Sequence, residues 1–279
     1  MTVLLSLLAA VSYGLSDFNG GWFAKRGGPW AVSLMAQLSA TVVVLLVALV
    51  DGGDPTRADL LWALLAGIGN GFGTAFLYRG LASGRMGVVA PVSGVGAVLV
   101  PVAVGVLTGE RPGALVWTGV ALALPAIWLV SREPTTSVDG TAPRGSGVLD
   151  GVLAGLGFGA LFAALAQIPE EAGFLPLAVN VGVAGVAIIA VATVLHQDWV
   201  PRSGWALGGI ISGVLGALAT GLFQIAVHHG YLSVAAVITS LYPAFTVLLA
   251  AVVLRERVHG AQGLGLALCA ASVALVAAG

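Results

Sequence analysis

Asp17 is the one carboxylate set well inside an apolar run, about four residues beyond the centre of the first such run. A charge at that depth costs about 2.5–3.5 kcal/mol on insertion scales, so its presence points to a use. It can meet the ammonium group of a substrate or carry a proton. The plainer reading is an acid near a helix end that reaches water or pairs with Lys25. Ser16 and Asn19 make its surroundings polar. Farther along, Asn70, Thr74 and Tyr78 stand at i, i+4 and i+8, a spacing that puts them on one helix face. Thr220, Gln224 and His228 repeat the spacing, and the two stripes are expected to form two walls of one cavity. Against this stands the reading in which hydroxyls bond their own helix and amides join helices. Gln37, Ser93, Asn180, Thr239, Ser240 and Tyr242 complete the polar candidates. Pro91 and Pro101 in the fourth run and Pro243 in the ninth each free a backbone carbonyl, and are expected to kink their helices and shape the cavity.

Enzymatic chemistry would need paired acids or His/Cys clusters within reach of the bilayer. The paired acid Glu170-Glu171 falls in a loop with no histidine nearby in sequence. No catalytic residue, metal or cofactor is expected. There is no Gly-x-x-x-x-Gly-Lys-Ser/Thr phosphate loop either, which leaves a proton or substrate gradient as the source of energy for any pumping.

The elements that must hold these residues follow from composition. Of 279 residues 58% are hydrophobic and 8% charged, and the mean hydropathy is +1.04. A soluble domain carries about 25% charged residues, so most of this surface has to face lipid. A span needs roughly 20 apolar residues. Ten runs qualify: Thr2–Ala24, Pro29–Val50, Leu60–Leu81, Met86–Thr108 and Ala114–Val130, then Val148–Ile168, Phe174–Leu195, Trp205–Val227, Ser233–Leu254 and Ala261–Ala278. Nothing alternates with period two, which excludes a β-barrel. The first run lacks the positive flank of a signal peptide and is expected to be a retained transmembrane helix. Glycines inside the runs let helices approach closely. Cys269 is expected to be a small packing residue. The seven tryptophans mostly lie near run ends, as an interfacial belt requires. With a net charge of −1 there is no basic surface for nucleic acid.

The chain also repeats itself. One ungapped shift lays Gly67–Val130 on Gly213–Val276, matching Gly67 with Gly213, Thr74 with Thr220 and Glu110-Arg111 with Glu256-Arg257. With small register changes Tyr13-Gly14 meets Phe158-Gly159, and Gln37 meets Asn180. The polar stretch SREPTTSVDGTAPRGSG lies at the midpoint and reads as a linker. The expected organisation is therefore a five-helix repeat over 1–132, a linker over 133–147 and a second repeat over 148–279. Five spans is an odd number, so the repeats must be inverted. That is the architecture of secondary transporters, with a site near the midplane between the halves.

SYGLSDF in the first run, APVSGVGAVLVPVAVGVLTGERP in the fourth and AAVITSLYPAFTVLLAAVVLRERV in the ninth carry a resemblance that covers the whole chain. The sequence resembles the drug/metabolite transporter superfamily, in particular the EamA-like ten-helix exporters. Arg255 departs from the glycine that usually precedes the glutamate. The resemblance implies an all-α integral membrane fold and export of a small polar or amphipathic, amino-acid-like metabolite by alternating access, with protons as a candidate coupling ion. A lipid-carrier flippase or multidrug exporter of the same fold is the alternative. The expected partners are a small-molecule substrate and membrane lipid, with the protein a monomer or homodimer in the cell membrane. Orientation has two readings. Only Arg57 and Arg111 fall on the side of the termini, which by the positive-inside rule places the termini outside. The resemblance implies both termini inside.

Overall fold

With no water in hydrocarbon to satisfy peptide groups, a spanning segment has to close its own hydrogen bonds. All ten runs do so as helix in the computed structural model, which describes residues 1–82, 86–130, 146–253 and 259–279. The helices are α1 (Thr2–Gly27), α2 (Pro29–Asp51), α3 (Arg57–Ala82), α4 (Met86–Leu107), α5 (Ala114–Val130) and α6 (Ser146–Leu165). They continue as α7 (Leu175–Val194), α8 (Gly209–His228), α9 (Leu232–Thr239), α10 (Tyr242–Val253) and α11 (Gly260–Ala278). The expected linker and the Glu256-Arg257 pair lie outside the described residues, except that α6 already begins at Ser146. Ten crossings return the chain to the side from which it starts.

The ninth span is two helices, not one. Pro243 has no N–H to give the carbonyl of Thr239, and the helix stops there and restarts at Tyr242. By contrast, α4 runs unbroken through Pro91 and Pro101; the side chain of Pro91 lies outside the described residues. Pro125, not singled out from the sequence, sits inside α5.

The two halves interlock instead of sitting side by side. α1 packs along α8 and α3 along α6, which are the same pairing seen from either repeat; α2 meets α7, and α5 meets α11. Glycine makes the closest crossing possible. A Cβ on Gly69 would stand 2.6 Å from the Gly157 carbonyl oxygen, and one on Gly157 would stand 2.6 Å from the Gly69 oxygen and from the Gly73 nitrogen. Any side chain at this α3–α6 crossing would push the halves apart. Outward faces are apolar, as Val42, Leu45, Leu46 and Leu49 show on α2. Trp22, Trp62, Trp117, Trp128 and Trp205 are exposed near helix ends, but Trp30 is 2% exposed and packs edge-on against Phe76, so it is a core residue and not part of a lipid-facing belt.

Glu110, matched with Glu256 in the repeat, joins two helices of opposite halves. Its carboxylate crosses from the end of α4 to the start of α9, accepting hydrogen bonds from the backbone N–H groups of Leu232 and, at 3.1 Å, Ser233. These are orphan donors of a helix N-terminus, where an anion is favoured. Arg111 turns back instead onto the Val106 and Glu110 carbonyls at 3.2 and 2.8 Å. We expect Glu110→Ala to cost about 1–2 kcal/mol, the usual worth of a helix cap. Thermal unfolding in detergent measures it, with Glu110→Gln falling between alanine and the wild type.

Candidate functional site

Near the middle of α1, Tyr13, Ser16 and Asp17 face a cavity of about 50 Å3, room for a few water molecules. The first half adds Gln37 from α2 and Asn70, Thr74, Leu77 and Tyr78 from α3. The second half adds Phe158 from α6, Val181 from α7, and Ser212, Gly216 and Thr220 from α8. The i, i+4, i+8 spacing therefore acts as read on α3, where Asn70, Thr74 and Tyr78 all line one wall.

A hydrogen-bonded amide cluster fixes that wall. Gln37 Nε2 donates to Asn70 Oδ1 at 3.3 Å and to Thr74 Oγ1 at 3.2 Å, and Thr74 Oγ1 donates to Asn70 Oδ1 at 3.2 Å. Asn70 Nδ2 donates in turn to Asn180 Oδ1 at 3.3 Å. Gln37 and Asn180 are repeat counterparts, so the Asn70 amide ties both to one centre. On the opposite wall Thr220 Oγ1 donates to the Gly216 carbonyl at 2.8 Å, so its remaining interaction, at 2.7 Å, accepts the Tyr13 hydroxyl proton.

The repeat is symmetric in frame and asymmetric in chemistry. The register that sets Tyr13 against Phe158 sets Asp17 against Phe162. Phe162 is 2% exposed, with its ring edge-on to Tyr13 at 6.0 Å between centroids. At these two positions α1 thus carries a phenol and a carboxylate where α6 carries two phenylalanines. Asp17 is half-buried and has no ion-pair partner among the described residues; Lys25 is exposed and does not reach it.

Eight expected wall residues lie elsewhere, among them Ser240, fully buried at the end of α9. Asn19 is drawn into the α1–α8 seam, donating to Gly208 O at 3.0 Å and Ser212 Oγ at 2.8 Å, beside the Ser16 bond to Ser212 O at 2.9 Å. Ser93 and Tyr242 face each other at 3.3 Å between α4 and α10. Asn180 and Thr239 are fully buried behind the wall. Gln224 belongs with His228 to a separate outer pocket, so the α8 stripe is divided between two sites, with Thr220 alone on the central one. Tyr13 and Ser212 are wall residues that the sequence reading did not select. A phenol at the centre of an apolar run was the available signal for Tyr13; Ser212 carried none, because serine is common in such helices.

Ten apolar spans in two interlocked repeats, with a polar cavity shared by both, define a multi-pass membrane protein. A family model described as "EamA-like transporter family" matches residues 1–132 and 145–278. The chain belongs to that family, and it is a membrane transporter of the drug/metabolite type; the family's members are transporters, not enzymes. A solved structure described only as "Crystal structure of protein" has a TM-score of 0.73 and 16% identity, over 99% of this chain and 98% of that one, a likeness that carries the fold. No protein of curated function matches the sequence.

Proposed function

We propose that this transporter is a gradient-driven exporter of a small amphipathic metabolite bearing an ammonium group, such as an amino acid, in a bacterial plasma membrane. The supporting observation is the carboxylate of Asp17, which has no ion-pair partner among the described residues and faces a cavity walled by both repeats. A cation entering the cavity supplies the missing charge, while Tyr13, Ser16, Thr74 and Thr220 offer hydroxyls to its polar groups. Phe158, Leu77 and Val181 receive the apolar part. Two bodies, each drawing helices from both repeats, rock about this centre and expose it to each side in turn. Protons are the natural coupling ion, because a carboxylate that trades a proton for an ammonium group returns empty without moving net charge.

The test is uptake by proteoliposomes holding the purified protein, with a panel of labelled amino acids and with or without an imposed pH gradient. Gradient-stimulated accumulation of an amine-bearing solute is the expected result. Uptake of amines with no response to the gradient removes proton coupling and keeps the carrier. Uptake of no amine at all would sink the substrate class.

A further inference from the structure

We infer that the protein holds a second site for ammonium groups, in the outer pocket formed by the end of α2, the turn before α7 and the end of α8. The pocket has a volume of about 440 Å3, the size of a small-metabolite site. It deepens the transport reading above, on which its physiological role rests; its binding stands independently.

Asp51, Glu170 and Glu171 contribute carboxylates, and no lysine or arginine is part of the lining. None of the three is in an ion pair among the described residues. Exposed acids alone would mean little. The added observation is Gln224, which lines the same pocket, is 3% exposed, and has an Oε1 with no hydrogen-bond partner. A buried acceptor left unpaired costs about 1–3 kcal/mol, which a donor arriving in the pocket recovers. His228 Nε2 stands 2.9 Å from the Ile168 carbonyl and, since a carbonyl can only accept, donates to it.

Position gives the pocket its meaning. Thr220 lines the central cavity, while Gln224 and His228, one and two turns farther along α8, line the outer one. At 1.5 Å per residue each step is about 6 Å. A solute leaving Asp17 for the side of the termini therefore has acceptors within a helical turn, and an anion meets three carboxylates.

The experiment uses the full-length chain in nanodiscs, with phenethylamine as the probe and phenylacetate as its anionic match. Work in the Asp17→Asn background isolates the outer pocket. Phenethylamine is expected to bind there and phenylacetate not. Glu170→Gln with Glu171→Gln should weaken the amine about fivefold, the combined worth of two solvent-exposed charges. Gln224→Glu, nearly the same shape, should tighten it. Equal binding of amine and carboxylate, or an affinity unmoved by both changes, overturns the site. If the pocket binds the amine but the wild type takes up no amine in liposomes, the transport reading falls and the site stands. If uptake persists and the pocket ignores charge, the reverse holds.

Discussion

Asp17→Asn is expected to reduce amine uptake by at least about 30-fold while leaving the melting temperature unchanged or higher. Removing one member of a desolvated charge pair costs about 2–5 kcal/mol, and each 1.4 kcal/mol is a factor of about ten. The substrate's ammonium would lose its only opposite charge on the cavity wall, since the other lining side chains are neutral. Stability should move the other way. In the empty protein the carboxylate has no ion pair to lose among the described residues, and asparagine keeps its shape without the cost of a charge at mid-depth. This divergence between activity and stability separates a functional carboxylate from a structural one. Uptake and thermal unfolding on one preparation decide the matter. A fall in both would assign Asp17 to the scaffold, and undiminished uptake would remove it from the site.

The ten spans were legible because hydrocarbon thickness imposes the same run of about 20 apolar residues on every crossing. Span ends were less so. α3 starts at Arg57, ahead of the expected Leu60, because Asp59 accepts from Thr56 N at 2.8 Å and Thr56 Oγ1 at 2.7 Å, and Asp59 N donates to Thr56 Oγ1 at 3.3 Å. This reciprocal cap was present in the sequence as Thr-x-x-Asp. The α3 stripe was readable because helical periodicity alone decides which residues share a face. The α8 stripe misled, because periodicity gives the face but not the depth: Gln224 and His228 share Thr220's face at another level. Asn19 and Ser93 were misplaced for a related reason. A polar side chain in a seam between helices and one on a cavity wall carry the same sequence signal, and only the neighbouring helix tells them apart. Asp150 was passed over as an acid at a span edge, since its partner lies far away in sequence.

That partner is Arg79, and breaking the pair is expected to produce the largest loss of stability from any single polar substitution in the described residues. Asp150 is 2% exposed and accepts from both Nε, at 2.9 Å, and Nη2 of Arg79. The Arg79 side chain is 31% exposed, with its guanidinium 4.5 Å from the centre of the Phe76 ring. The two ends are therefore unequal. Arg79→Gln strands a buried carboxylate, which costs about 3–5 kcal/mol. Asp150→Asn leaves a guanidinium that already reaches solvent and still stacks on Phe76, and should cost clearly less. The double variant should recover part of the Arg79→Gln loss, giving a coupling that a double-mutant cycle in detergent can read. Equal single losses that simply add would show that the pair is not the coupling. The same contact bears on how the halves move. The ion pair and the Gly69–Gly157 crossing both join α3 of the first half to α6 of the second. A crossing with no room for a side chain and a buried ion pair cannot both be remade in each cycle at small cost, so α3 and α6 travel as one body. Uptake per folded molecule should accordingly be nearly the same for Asp150→Asn as for the wild type. A variant that folds normally but turns over several-fold faster or slower would instead make this contact part of the gate.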